Sequence, residues 1–120
     1  MAGRVLIKQG VTFVPVWAGF VILTALKDVA KTLDVELMIT SGSDGAHSGP
    51  NDPHKRGEAY DVRSKSFGDE QKNLVLDAIR LSLNSDYFYA SLESPGDLNE
   101  HFHIQRRQFL TYTVQHFLNV

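Results

Sequence analysis

The chain contains no cysteine. Disulfides and thiolate-bound metals are excluded, and any metal must sit on nitrogen and oxygen donors. Nor is there an excess of positive charge. The formal net charge is −2 and the pI about 6.2, without the basic stripe of a general nucleic-acid binder. No run reaches the ~20 apolar residues that a membrane span needs. The most apolar stretch, Val11 to Leu26, is interrupted by Thr12, Pro15, Gly19 and Thr24 and runs on into Lys27-Asp28. It lacks the basic start and small-residue cleavage site of a signal peptide, so a buried helix is expected there, in a protein made in the cytoplasm. There is no internal repeat and no low-complexity tract. Histidines four apart on a helix, the pattern of helix-borne zinc proteases, are also missing.

What is present is an ordinary globular composition. With 120 residues, 42% hydrophobic and 22% charged, residues 1–120 form one domain with a core that needs no staples. Pro15 marks a helix start, and Ile22, Leu26, Val29 and Leu33 follow at spacings that predict a helix over 16–33. Val35 to Thr40 reads as a short buried strand. A turn-rich segment from Ser41 to Pro53 follows, of a length that usually carries function. Gly57 to Arg63 alternates like a strand. Ser66 with Asp69 resembles a capping box, opening a helix through Leu76, Ile79 and Leu83 to about Asn84. Tyr87 to Leu92 and His101 to Gln105 are further strands, and Gln108 to Leu118 is either a terminal helix or a strand. The expected fold is α+β, a small, mainly antiparallel sheet with helices packed on one side.

Four of the five histidines flank two turn-rich segments. His54 precedes Asp61, and His101 and His103 stand together late in the chain. Residues two apart in a strand share a face. His101 therefore points with His103, and Asp61 points with Gly57 and Ala59, which leave room beside it. Two imidazoles and a carboxylate suit zinc, and three protein ligands leave a tetrahedral ion one open position, as in catalytic sites. A base for an activated water must stand nearby. Glu100 can serve only from the loop before the strand, because its parity is opposite to that of His103; Glu93 is the rival carboxylate. His101 is either a fourth ligand or a neighbour that stabilises an oxyanion.

The residues His54, Gly57-Glu58-Ala59-Tyr60-Asp61 and His103, with Ile39-Thr40-Ser41-Gly42 before them, resemble the zinc D-alanyl-D-alanine carboxypeptidases and related peptidoglycan endopeptidases. The shared fold of that group also includes the Hedgehog signalling domain. The similarity covers roughly residues 35–106. It implies His54, Asp61 and His103 as ligands of one zinc ion, and Glu100 as general base by its match to Glu-x-x-His. It also implies His101 as a catalytic neighbour, by its match to the first histidine of His-x-His.

Two departures bear on the substrate. Carboxypeptidases of the group usually carry an arginine shortly after Ser-Gly, pairing with the terminal carboxylate of the substrate. Here Ser43-Asp44-Gly45 stands instead. An aspartate there would repel that carboxylate, which points to an endopeptidase. Asp44-Gly45-Ala46-His47 looks like the Hedgehog branch, and Arg63 is a candidate replacement cation. Asp44, His47 and Arg63 are thus the candidate substrate-binding residues. The resemblance implies a zinc metallopeptidase that cuts a peptidoglycan stem peptide, a monomer acting on the cell wall after release or delivery, as a phage-encoded enzyme would. The alternative it implies is a Hedgehog-like, zinc-stabilised binding module without turnover.

Overall fold

The computed structural model describes residues 3–45 and 47–108. In chain order these form β1 (Arg4–Ile7), α1 (Trp17–Leu33), β2 (Glu36–Ser41), β3 (Ala59–Arg63), α2 (Asp69–Leu81), β4 (Phe88–Glu93) and β5 (His101–Arg106). The sheet order is β1-β2-β3-β5-β4. β1 runs parallel to β2, and the other three pairings are antiparallel. The α+β expectation is met, with a mixed sheet. β1 was not anticipated, because four residues with only two partly buried side chains carry little periodicity. The Gln108–Leu118 expectation lies, beyond residue 108, outside the described residues. Among the described residues, no helix is long and apolar enough to cross a membrane.

α1 buries Ala18, Gly19, Ile22, Ala25, Leu26, Val29 and Ala30, the three-and-four spacing of one helical stripe. Asp34 closes it in the left-handed conformation, its N–H bonded to the Ala30 carbonyl. α2 begins after Gly68, with no side-chain cap, so Ser66 is not the cap the sequence suggests. Asp69 and Glu70 favour its N-terminus through the helix dipole instead. The two helices pack on each other and on one face of the sheet. Leu37 and Ile39, Tyr60 and Val62, Phe88 and Ala90, and Phe102 and Ile104 are buried against Ile22, Leu26, Val29, Val75 and Ile79. The alternate residues, Asp61, Arg63, His101, His103, Ser91 and Glu93, therefore share the opposite face.

Register sets the neighbours on that second face. Asp61 pairs with His103, which pairs in turn with Ser91; Arg63 pairs with His101, which pairs with Glu93. The segment between β2 and β3 returns over this face and is tied to the chain ahead of α1. Ser43 N–H donates to the Thr12 carbonyl (2.8 Å), and Lys55 Nζ to the Ser43 carbonyl (2.9 Å). Gly57 ends the segment at φ +77, and a Cβ there would lie 2.6 Å from the Val14 carbonyl oxygen and 2.8 Å from Val14 Cβ. Only glycine meets both demands.

Gly57→Ala is accordingly expected to cost about 1–3 kcal/mol in urea unfolding. Gly45→Ala has a similar positive φ (+76) but open space around its Cβ. It should cost only about 1 kcal/mol. Equal losses at the two positions would show that the Val14 contact carries no weight.

Candidate metal centre

Asp61 stands mid-strand on β3, directly across from His103 on β5. His54 arrives from the turn between β2 and β3, which is closed by Gly57 N–H to the His54 carbonyl (3.0 Å) and Glu58 N–H to the Pro53 carbonyl (2.9 Å). His54 Nε2 and His103 Nδ1 each lie 3.0 Å from the same oxygen, Asp61 Oδ1. Both imidazoles are buried, at 8% and 6% exposure.

The outer nitrogens fix what the inner ones present. His54 Nδ1–H donates to Asp52 Oδ1 (2.8 Å), and a carboxylate can only accept. His103 Nε2–H donates to the side-chain oxygen of Gln105 (2.8 Å). In the neutral rings, both inner lone pairs then face Asp61 Oδ1. Two lone pairs and an anionic oxygen turned on one point repel each other unless a proton or a metal cation lies among them. Two imidazoles and a carboxylate suit zinc, and imidazoles whose far N–H is held by a carboxylate or carbonyl are the usual form of zinc-binding histidines. The residues present fit the ion. Among the described residues, those atoms form one of three groups whose donors converge closely enough to hold a metal ion; the others are Glu93–His101–His103 and His47–Asp52–His54.

The titration behaviour agrees. Burial alone would raise the Asp61 pKa, but hydrogen bonds from His103 and His54 outweigh it and hold the carboxyl well below the usual carboxylate range. Burial alone would lower both histidines, but the bond to Asp61 and then the outer partners outweigh it, lifting each above its ordinary value near 6.5. The cluster is built to hold positive charge.

His101 lies beside this group. Its Nδ1–H donates to the Asn99 carbonyl (2.5 Å), while Nε2 stands 3.2 Å from Glu93 Oε1 and 3.6 Å from Asp61 Oδ1. Glu100 does not join them. Its parity puts it on the helix side of the sheet, where it is buried and bonded to Lys72 Nζ (2.8 Å), Ser64 Oγ (2.7 Å) and Gly96 N–H (3.0 Å). Lys72, then Gly96 and Ser64, hold its carboxyl down at about 2. The expectation of Glu100 as base is corrected on this ground: a carboxylate tied to an ammonium, with the sheet between it and the cluster, is not placed to take a proton there.

The three candidate substrate-binding residues separate. Asp44 Oδ1 accepts from Gly42 N–H (2.8 Å) and Thr12 N–H (3.2 Å), so it anchors the loop. His47 stacks on His54, with ring centroids 4.2 Å apart, and its Nε2–H donates to the Gly42 carbonyl (2.9 Å). Arg63 is exposed, opposite His101, with no partner among the described residues. Sequence reasoning missed Asp52 and Gln105. Gln105 follows His103 by two on one strand, a spacing that could have signalled it. Asp52 sits in a turn whose path no periodicity reveals. Comparison with family models, with curated proteins and with solved structures gives no match.

Asp61→Ala is expected to abolish stoichiometric zinc binding at neutral pH, measured by elemental analysis after dialysis. In the wild type, affinity should fall as pH drops through the raised histidine pKa values, beginning above ~6.5, by up to about 100-fold per unit once two protons must be displaced. In the metal-free protein the sign is the reverse. The histidine–Asp61 bonds stabilise the fold fully below the unfolded value near 6.5, and that contribution is lost as pH rises through the raised values. Glu100→Gln should keep full zinc content while lowering Tm by about 5 °C, because only the bond to Lys72 is weakened. Loss of zinc in that variant with Tm unchanged would return Glu100 to the metal side.

Proposed function

We propose that this chain is a zinc-dependent peptidase that hydrolyses an internal bond of bacterial peptidoglycan stem peptides. The observation that carries the reading is His101 Nε2, aimed at the ligand cluster from 3.6 Å and backed by Glu93. His54, Asp61 and His103 would hold the ion. Bound zinc would supply a Lewis acid for the scissile carbonyl and bring the pKa of water toward ~7.

The chain's own residues handle the protons. With Nδ1–H committed to the Asn99 carbonyl, His101 has its lone pair on Nε2 and can accept a proton from the attacking water there. Glu93 Oε1, 3.2 Å away, favours the resulting imidazolium. The same Nε2–H then donates to the leaving amine. His101, backed by Glu93, thus takes the place that the resemblance offered to Glu100. The peptidoglycan substrate rests on the sequence resemblance. Preference for an internal bond rests on the absence of a cation after Ser-Gly, where Asp44 serves the loop. Arg63, free beside His101, is the group for a substrate carboxylate or carbonyl.

A second reading has one observation in its favour. The carboxylate that matches the general base of the resembling peptidases, Glu100, is locked to Lys72. A zinc-stabilised binding module without turnover would tolerate that.

Turbidity loss of purified peptidoglycan, with and without chelator, followed by mass analysis of released peptides, separates the two. The peptidase reading expects chelator-sensitive release of stem-peptide fragments. Glu93→Gln and His101→Ala should each slow it by about 10²–10⁴-fold with zinc retained, and Glu100→Gln should slow it far less. No chelator-sensitive hydrolysis by the wild type would leave the binding module standing.

A further inference from the structure

The donors around Asp61 outnumber what one ion can use. His101 presents a lone pair on Nε2 for the same reason as His54, since its other nitrogen is bound as a donor, here to a backbone carbonyl. That lone pair opens into a gap between Glu93 Oε1 at 3.2 Å and Asp61 Oδ1 at 3.6 Å. Glu93, His101 and His103 bring donor atoms within 4.8 Å of one another. His103 Nδ1 is already directed at Asp61 on the side of His54. The donors left over are Glu93, His101 and a shared oxygen of Asp61, an acceptor set for a divalent cation.

We propose that Glu93 and His101, sharing the Asp61 carboxylate, form a second and weaker divalent-cation position beside the first, and that filling it blocks the site. The inference rests on the reading that His54, Asp61 and His103 hold the first ion and that His101 and Glu93 move protons. Weakness follows from the construction. The first position owns two buried imidazoles, whereas the second owns one imidazole and a half-exposed carboxylate at a strand end, where water competes. Two cations bridged by one carboxylate also repel each other. The position therefore fills only when the cation is in excess. A cation there takes the His101 lone pair and the Glu93 oxygen, removing both proton-handling groups at once.

The third convergent group does not offer the same. Asp52 Oδ1 already accepts His54 Nδ1–H and the His54 backbone N–H, and its Oδ2 accepts from Ser48. His47 Nε2 is spent on the Gly42 carbonyl. A cation there would have to break the bonds that orient His54.

The test is equilibrium dialysis of the full chain against rising buffered free zinc. Bound metal is counted by elemental analysis, and peptidoglycan hydrolysis is followed in parallel. The wild type should bind one ion tightly and a second about 100-fold more weakly or less tightly still. Hydrolysis should fall as the second ion fills. Glu93→Gln and His101→Asn should each keep the tight ion and lose the weak one; Glu93 is half-exposed at the end of β4, so its variant tests the site without disturbing the core. A wild type that saturates at one ion overturns this inference and leaves the single-zinc reading intact. A wild type that binds none overturns both. Two ions retained in Glu93→Gln overturn it by placing the second elsewhere, and hydrolysis undiminished at two ions overturns the blocking role.

Discussion

Asp61 is a carboxylate held mid-strand with little access to water, and such a group persists only if positive charge is brought to it. Two imidazoles meet one of its oxygens at 3.0 Å, and a third approaches at 3.6 Å. Each ring is turned inward by a fixed acceptor behind it: Asp52, Gln105 or the Asn99 carbonyl. Without metal, protons supply the charge, which is why His54 and His103 titrate above the ordinary value. A metal ion bound there would meet the same atoms. The acceptors behind the rings matter as much as the rings, because they decide which nitrogen is free.

That arrangement needs a sheet with two unlike faces. The helices cover one face and leave the other for the cluster, so alternation along β3 and β5 sends Tyr60, Val62, Phe102 and Ile104 inward and Asp61, His101 and His103 outward. The return segment before β3 then lays His54 over the open face. Its path is held by close backbone approach to residues 12–14, where Gly42 and Gly57 leave no room for a side chain. The chain ahead of α1 thus supports the site from a distance without touching it.

The buried Glu100–Lys72–Ser64 group lies on the helix side and does a different task. It ties the start of β5 to α2 and to the end of β3, immediately before His101. That anchor helps hold the start of β5 in place, and a register shift of one residue would turn both histidines away from Asp61. A glutamate three residues before His103 can therefore matter to the site through register rather than through proton transfer. The two faces divide the labour, with the Glu100 anchor behind and the histidine–aspartate cluster in front.

Local pattern was enough for much of this. The stripe of α1, the alternation of β3 and β5, and the pairing of His101 with His103 on one face follow from periods of 3.6 and 2, which the chain carries in itself. The absence of cysteine confines any metal to histidine and carboxylate. Partners brought together by pairing were not legible. That Glu93 stands opposite His101, that Asp61 meets His103, and that β1 joins β2 in parallel depend on register between strands distant in sequence. The partners of Asp44 and Glu100 were hidden for the same reason. Their residue types fitted the chemistry, but their hydrogen bonds run to Thr12 and Lys72, residues that only the folded chain brings within reach. Sequence determined which side chains share a face; tertiary structure decided which faces meet, because strand pairing joins segments that no local period relates.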